Sequence, residues 1–385
     1  MLSPENKRIR WLRAEIFVLL VFSLTLQILA ADKLKSTSGG QAVVIKEEEK
    51  NNLGITLLPI IYYTPETKLA FGFGGLFTYR FGLFFKQARP SSLFVAAMYT
   101  QMKQFTLQLK PEIYLQNNSL FLSGNFLAER FPSKFWGVGA NTEDTLEEIY
   151  TPETYSMEIG FQKILLASAG VYLGVKYHLE RTRIVEKEPG KLIDQGVILG
   201  SQGGFLSGVG FIINFDNRDN IFYPTQGYYL QAYCFWNDGF LGSDFDYFSL
   251  KLDLRNYIRL AENQILAIQL ILDTASGEVP FYKLPRLGGD TILRGYYQGR
   301  YRDKNLLALQ AEYRFPIWKR VSGVAFVAAG NLADRLRNLS WDNLKYAGGF
   351  GFRFKIIPKE KVNLRVDFAF GPGTYGIYFK AGESF

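Results

Sequence analysis

The chain has 385 residues and a formal net charge of +8; its one cysteine (Cys234) excludes an intramolecular disulfide, and its one histidine (His178) argues against a histidine-built metal centre or a His-dependent triad. The basic excess is spread along alternating segments and gives no nucleic-acid footprint. With 33 Phe, 23 Tyr and 37 Gly the chain is richer in aromatics and glycine than a soluble core needs, and beyond residue 31 no run reaches the ~18 apolar residues of a membrane helix.

Residues 1–31 read as a secretory signal peptide. Lys7, Arg8, Arg10 and Arg13 precede the apolar run IFVLLVFSLTLQILAA, with cleavage expected near Ala30 or Ala31. No cysteine follows the apolar run, which argues against a lipoprotein. Residues 32–52 are polar, with the charge run Lys46–Lys50, and read as a flexible periplasmic linker.

From Leu53 a period of two takes over. Phe105, Leu107 and Leu109 face away from Thr106, Gln108 and Lys110. Leu250, Leu252 and Leu254 oppose Lys251, Asp253 and Arg255. Val362, Leu364, Val366, Phe368 and Phe370 oppose Asn363, Arg365, Asp367 and Ala369. A soluble sandwich also alternates, but strands of about ten residues with a charged side suit a tilted membrane crossing. Sixteen strands are expected: 53–63, 67–80, 92–102, 104–116, 119–130, 153–163, 167–183, 194–214, 227–240, 244–259, 263–276, 305–316, 320–331, 345–356, 361–371 and 374–384. The fold class is therefore all-β, a 16-stranded antiparallel transmembrane β-barrel over residues 53–385. Long connections (131–152, 184–193, 277–304, 332–344) follow odd strands, and tight ones such as Gln116–Ser119 follow even strands. Outer-membrane barrels place long loops outside and short turns in the periplasm. Two even connections, 81–91 and 215–226, are longer than that rule allows.

Three segments interrupt or end the pattern. Phe215–Tyr229, FDNRDNIFYPTQGYY, combines Asp216, Arg218 and Asp219 with Pro224 and Gly227. Asp and Asn satisfy backbone donors, Pro fixes φ and Gly permits positive φ, so this reads as a structured turn with Arg218 paired to a carboxylate. An EF-hand calcium loop has a different spacing. Residues 285–305, PRLGGDTILRGYYQGRYRDKN, carry Gly288, Gly289, Gly295 and Gly299 with Arg286, Arg294, Arg300 and Arg302. A loop of this length inside a strand-rich chain is expected to be functional or disordered. The C-terminus, YGIYFKAGESF, alternates aromatics through Tyr378 and ends in Phe385, as an outer-membrane assembly signal does.

These segments, in this order, resemble the barrel domain of the outer-membrane assembly and secretion superfamily, the BamA- and TamA-like bacterial surface antigen family. LLPIIYYTPETKLAFGFGG (57–75) is similar to its first hairpin, and Asp216–Gly227 to the turn between strands eight and nine. Gly288-Gly289 through Arg294-Gly295-Tyr296 is similar to the hallmark of its sixth outer loop, and Glu312-Tyr313-Arg314-Phe315-Pro316 to strand twelve. The resemblance implies a loop folded into the lumen, with Arg294 locked to Glu312 and Gly295 and Tyr296 shaping its tip. It also implies a strand-thirteen acid where this chain has Ala328, so Arg294 is expected to rely on Glu312 or on a substitute such as Asp334. With about twenty residues before the barrel, the chain resembles a member without POTRA domains.

No catalytic constellation, metal site or cofactor is expected. Glu143, Asp144, Glu147 and Glu148 form an acidic outer cluster suited to a solvated loop or to divalent ions in the lipopolysaccharide layer. The expected location is the bacterial outer membrane. The expected partners are its lipid and lipopolysaccharide, the machinery that inserts the barrel, and periplasmic or surface subunits in place of POTRA domains. Two functions compete: insertion or translocation of proteins across a weak seam between strands one and sixteen, and a passive or structural pore gated by residues 277–304.

Overall fold

The computed structural model of the chain describes residues 53–79, 91–116, 118–166, 170–357 and 361–385. The expected signal peptide and linker lie outside the described residues. Among the described residues, sixteen long strands close into one antiparallel barrel. They are β1 (Leu53–Thr64), β2 (Lys68–Tyr79), β3 (Ser91–Thr100), β4 (Phe105–Leu115), β5 (Leu120–Arg130) and β6 (Glu148–Leu166). Then come β7 (Val171–Lys187), β8 (Gly203–Asp216), β9 (Gly227–Asn237), β10 (Tyr247–Ala261) and β11 (Gln264–Gly277). The last five are β12 (Asn305–Trp318), β13 (Val321–Ala333), β14 (Lys345–Ile357), β15 (Val362–Gly371) and β16 (Thr374–Ala381).

The alternation sorts side chains as a membrane barrel requires. On β12, Leu307 and Leu309 are exposed on the outer wall, while Gln310, Glu312 and Arg314 are buried inside. On β14, Phe350, Phe352 and Phe354 face outwards and Arg353 is buried. The outer mouth is closed by its own connections. Phe135, Tyr150, Ile193, Phe245, Phe281 and Leu284 form one buried cluster, with the Phe135 and Phe281 rings 5.1 Å apart.

The structure moves three expected boundaries. Strand eight begins at Gly203, not at residue 194, because Gly196 and Gly200 inside the intervening segment take φ of +75° and +84°, outside the extended region that a strand interior needs. Strand six extends to Glu148–Leu166, and Ser133–Phe135 pairs back onto its outer end. Strand sixteen stops at Ala381, where Gly382 at φ +89° turns the last residues off the wall.

Closure is uneven. β1 pairs with β2 from Leu53↔Tyr79 to Thr64↔Lys68, and β15 with β16 from Leu364↔Ala381 to Gly371↔Thr374. β1 and β16 meet, among the described residues, at the single pair Tyr63↔Phe379. This leaves a seam with little ladder hydrogen bonding to hold it.

Candidate functional site: an ion-paired lumen loop beside the seam

The connection between β11 and β12 doubles back on itself. Arg286–Leu287 pairs with Tyr301–Arg302, and the Gly289 amide donates to the Tyr296 carbonyl at 2.9 Å. Two glycines make the fold possible. At Gly288 (φ +107°) a Cβ would lie 2.1 Å from the Tyr297 carbonyl oxygen, and Gly295 takes φ +108° at the tip.

The tip sits against the inner wall. Arg294 is 1% exposed, and its Nη2 donates to Glu312 Oε2 of β12 at 2.9 Å while its Nη1 donates to Asp367 Oδ2 of β15 at 2.7 Å. The guanidinium carbon lies 3.5 Å from the centre of the Phe326 ring on β13. Such a buried cation holds its place only where carboxylates and a π-face replace water. The Gly295 amide donates to the Tyr378 hydroxyl of β16 at 2.9 Å, and Thr374 Oγ1 donates to the Gly295 carbonyl at 2.6 Å. The Tyr296 hydroxyl donates to the Tyr346 carbonyl at 3.3 Å.

The Arg294 pair is one part of a larger network. Glu312 Oε1 accepts from Arg314 Nε at 2.8 Å, and its Oε2 also accepts from Arg353 Nη2 at 3.4 Å. Asp367 Oδ1 accepts from Arg353 Nη1 at 2.5 Å. Gly351 makes room for that carboxylate, since a Cβ there would stand 2.2 Å from Asp367 Oδ1. Arg365 and Lys380 both donate to Asp290 Oδ2 of the loop, at 3.0 and 2.9 Å. Asp290 is held below the usual carboxylate range: burial raises it, and Lys380 and Arg365 outweigh burial.

The last three residues enter the same network. Glu383 Oε2 accepts from Arg353 Nε at 2.6 Å and its Oε1 from Asn363 Nδ2 at 2.8 Å. Ser384 donates to the Asp290 carbonyl at 3.2 Å, and Arg314 Nη2 donates to the Phe385 carbonyl at 3.1 Å. The buried Phe385 ring clusters with Tyr257 and Ala267. So Phe385, expected at the end of a strand, lies inside the barrel.

On the other side of the seam, Glu66 in the turn between β1 and β2 accepts from the Gln298 amide of the loop at 2.8 Å. The Glu66 carboxyl is pushed up by burial, and the backbone N–H from Gln298 offsets this only in part.

Sequence reasoning thus placed Gly288, Gly289, Arg294, Gly295, Tyr296 and Glu312 in one region, and the structure brings them together with Tyr378. It gives the second acid to Asp367. Asp334 is exposed beside Arg335 and stays in the outer connection. The turn motif Asp216, Arg218, Asp219, Pro224 and Gly227 lies elsewhere, between β8 and β9. There Arg218 donates to both Asp216 oxygens at 2.8 Å, and Asp219 Oδ1 accepts from the Thr225 amide at 2.8 Å. The acidic outer cluster is dispersed: Asp144 pairs with Arg300, Glu147 with Lys134, and buried Glu148 accepts from the Ile193 amide. Among the described residues no group of three or more His, Cys, Asp or Glu side chains is placed to hold a metal ion.

A family model described as the Omp85 superfamily domain matches residues 89–385. The chain belongs to the Omp85 superfamily. Among solved structures it is similar to BamA from Haemophilus ducreyi lacking POTRA domains 1-3, at 18% identity and TM-score 0.60 over 86% of this chain and 70% of that one. It is similar to CdiB from Acinetobacter baumannii at 11% identity and TM-score 0.54, over 86% of this chain and 59% of that one. CdiB from Escherichia coli matches at 10% identity and TM-score 0.55, over 84% of this chain and 62% of that one. At these identities the likeness is one of fold. No curated protein sequence matches the chain. An Omp85 barrel of this architecture is an outer-membrane type of fold, with a lipid-facing wall and a lumen occupied by its own loop.

Proposed function

We propose that this Omp85 barrel lies in the bacterial outer membrane and assists the insertion or translocation of proteins there, with periplasmic or surface partner subunits. The observation that carries the reading is the seam. β1 and β16 share one registered pair, while the loop is bound on one side to Glu66 and on the other to Tyr378 and Thr374. Among the described residues, the facing edges of β1 and β16 have no ladder partner from each other along the rest of this seam, and a backbone polar group left unpaired in hydrocarbon costs several kcal/mol. A client strand can supply those partners by strand addition. Arg294, Gly295, Tyr296 and Glu312, with Asp367, lock the loop and keep the lumen filled while the seam is closed.

The test is a reversible lock. Tyr63→Cys with Phe379→Cys, in a Cys234→Ser background, would tie the seam by a disulfide. We expect oxidised cells to lose outer-membrane clients from the membrane proteome and reduction to restore them. Unchanged client levels under full oxidation would sink the proposal. Steady ion conductance from the locked, purified protein, raised by Arg294→Ala, would favour the passive pore instead.

A further inference from the structure

The membrane-facing wall of β4 to β8 carries a groove that neither the lumen loop nor the seam explains. Register places three outward rows one above another near the outer rim. The top row runs Phe105↔Arg130↔Glu153↔Arg183↔Gly203, and the next runs Leu107↔Ala128↔Tyr155↔Arg181↔Phe205. The third runs Leu109↔Phe126↔Met157↔Leu179. Ala128 is the small residue between Leu107 and Tyr155, and it leaves a depression of about 430 Å³ across the lower two rows. The lining is mainly apolar; its polar members are Ser156, Glu180 and, at the upper edge, Arg181.

The charges above the groove are unequal in their commitments. Arg130 is tied to Glu186 at 2.6 Å, and Glu186 also accepts from Thr151. Among the described residues the side chains of Arg181 and Arg183 make no ion pair or hydrogen bond, although Glu153 is registered opposite Arg183. They are two residues apart on one strand face, so their Cα atoms are separated by about 7 Å. Arginine on a lipid face is costly at mid-bilayer and costs little near the interface. These two sit at the outer end, where a long side chain can reach headgroup level.

Resting on the outer-membrane reading above, we propose that this surface binds a phosphorylated glycolipid of the outer leaflet. An acyl chain lies in the groove over Ala128, and Arg181 and Arg183 hold a phosphate. Guanidinium forks match phosphate oxygens in paired hydrogen bonds. A chain laid against Phe126, Met157 and Leu179 fills space that bulk lipid fills only transiently. The site lies on the barrel's outside, so it anchors the wall of β4 to β8 while the opposite wall carries the seam.

The experiment uses the full chain purified in nonionic detergent, with bound lipid counted by native mass spectrometry during titration. The probes are bisphosphorylated lipid A, its dephosphorylated form and phosphatidylglycerol. We expect the phosphorylated glycolipid to bind in preference to both others. The double variant Arg181→Ala/Arg183→Ala should lose about tenfold or more in affinity, and Ala128→Phe, which fills the groove, should displace the lipid without touching a charge. Equal binding of the dephosphorylated probe, or affinity unchanged in both variants, would overturn the site, and equal binding of phosphatidylglycerol would overturn the glycolipid assignment. The seam-locked protein separates this proposal from the functional one: retained lipid with unimpaired clients refutes client handling alone, and lost clients without lipid preference refute the site alone.

Discussion

Arg294 is surrounded by groups that have no water to fall back on. Its two carboxylate partners are themselves fully buried, and each also holds Arg353. Removing one member of such a buried set costs about 3–5 kcal/mol, because the remaining charges stay desolvated. Arg294→Ala should therefore lower the temperature at which the folded barrel loses its compact electrophoretic mobility. Arg294→Lys should recover only part of it, since an ammonium cannot bridge Glu312 and Asp367 as a planar fork does. A double-mutant cycle with Asp367→Asn should be strongly non-additive; additive losses would mean that the pair does not act as a unit.

Glu66 offers a second test at the same scale. Its carboxyl is raised in the folded barrel, so the protonated form is favoured there relative to the unfolded chain. The contribution is fully present below the ordinary value of 4.5 and is lost as pH rises through the higher folded value. Glu66→Gln keeps an acceptor for the Gln298 amide without the buried charge. It should raise the unfolding midpoint at neutral pH and flatten its slope between acid and neutral conditions. A midpoint that falls in the variant at neutral pH but not in acid would show that the ionised carboxylate is what holds the loop.

Among the elements, the lumen loop and the C-terminal tail hold one ionic network from two ends. Glu312 accepts from three guanidiniums, while Glu383 makes one short pair with Arg353 and a 4.0 Å approach to Arg314. Glu383→Ala should consequently destabilise the barrel by less than Glu312→Ala, and thermal mobility shifts measured side by side would rank them. The reverse order would place the main tie in the tail. Element boundaries also mark where residue pattern stops being decisive. Residues 194–202 carry enough apolar character to read as strand, yet left-handed glycines keep them in the outer connection. Residues 382–384 follow an alternating strand in sequence, but one positive-φ glycine and the pull of Arg353 on Glu383 take them inwards.

At the scale of the whole molecule, the barrel has a strong wall and a weak line. Every neighbouring strand pair from β2 to β16 is joined by an extended ladder, and the β1–β16 contact by one registered pair. Cross-links or mutations at that line should change client handling, while the lipid-facing site on β4 to β8 should respond to groove filling and charge removal with the seam untouched.

The sequence by itself determined the strand count, the two faces of each strand and the alternation of long and short connections, while the pairing of Arg294 with Glu312 was an expectation carried by the resemblance of its motifs to a known family. Alternation is a local property fixed by backbone geometry, so it survives without a fold. The sequence did not identify Asp367, Arg353 or Glu383 as members of the network. Arg365 and Asp367 were legible as the polar side of β15, and nothing local says which loop atom they meet. Partners 73 residues apart, as Arg294 and Asp367 are, are set by strand register and barrel closure. Only the tertiary structure brings their charges into one dry volume, where each depends on the others.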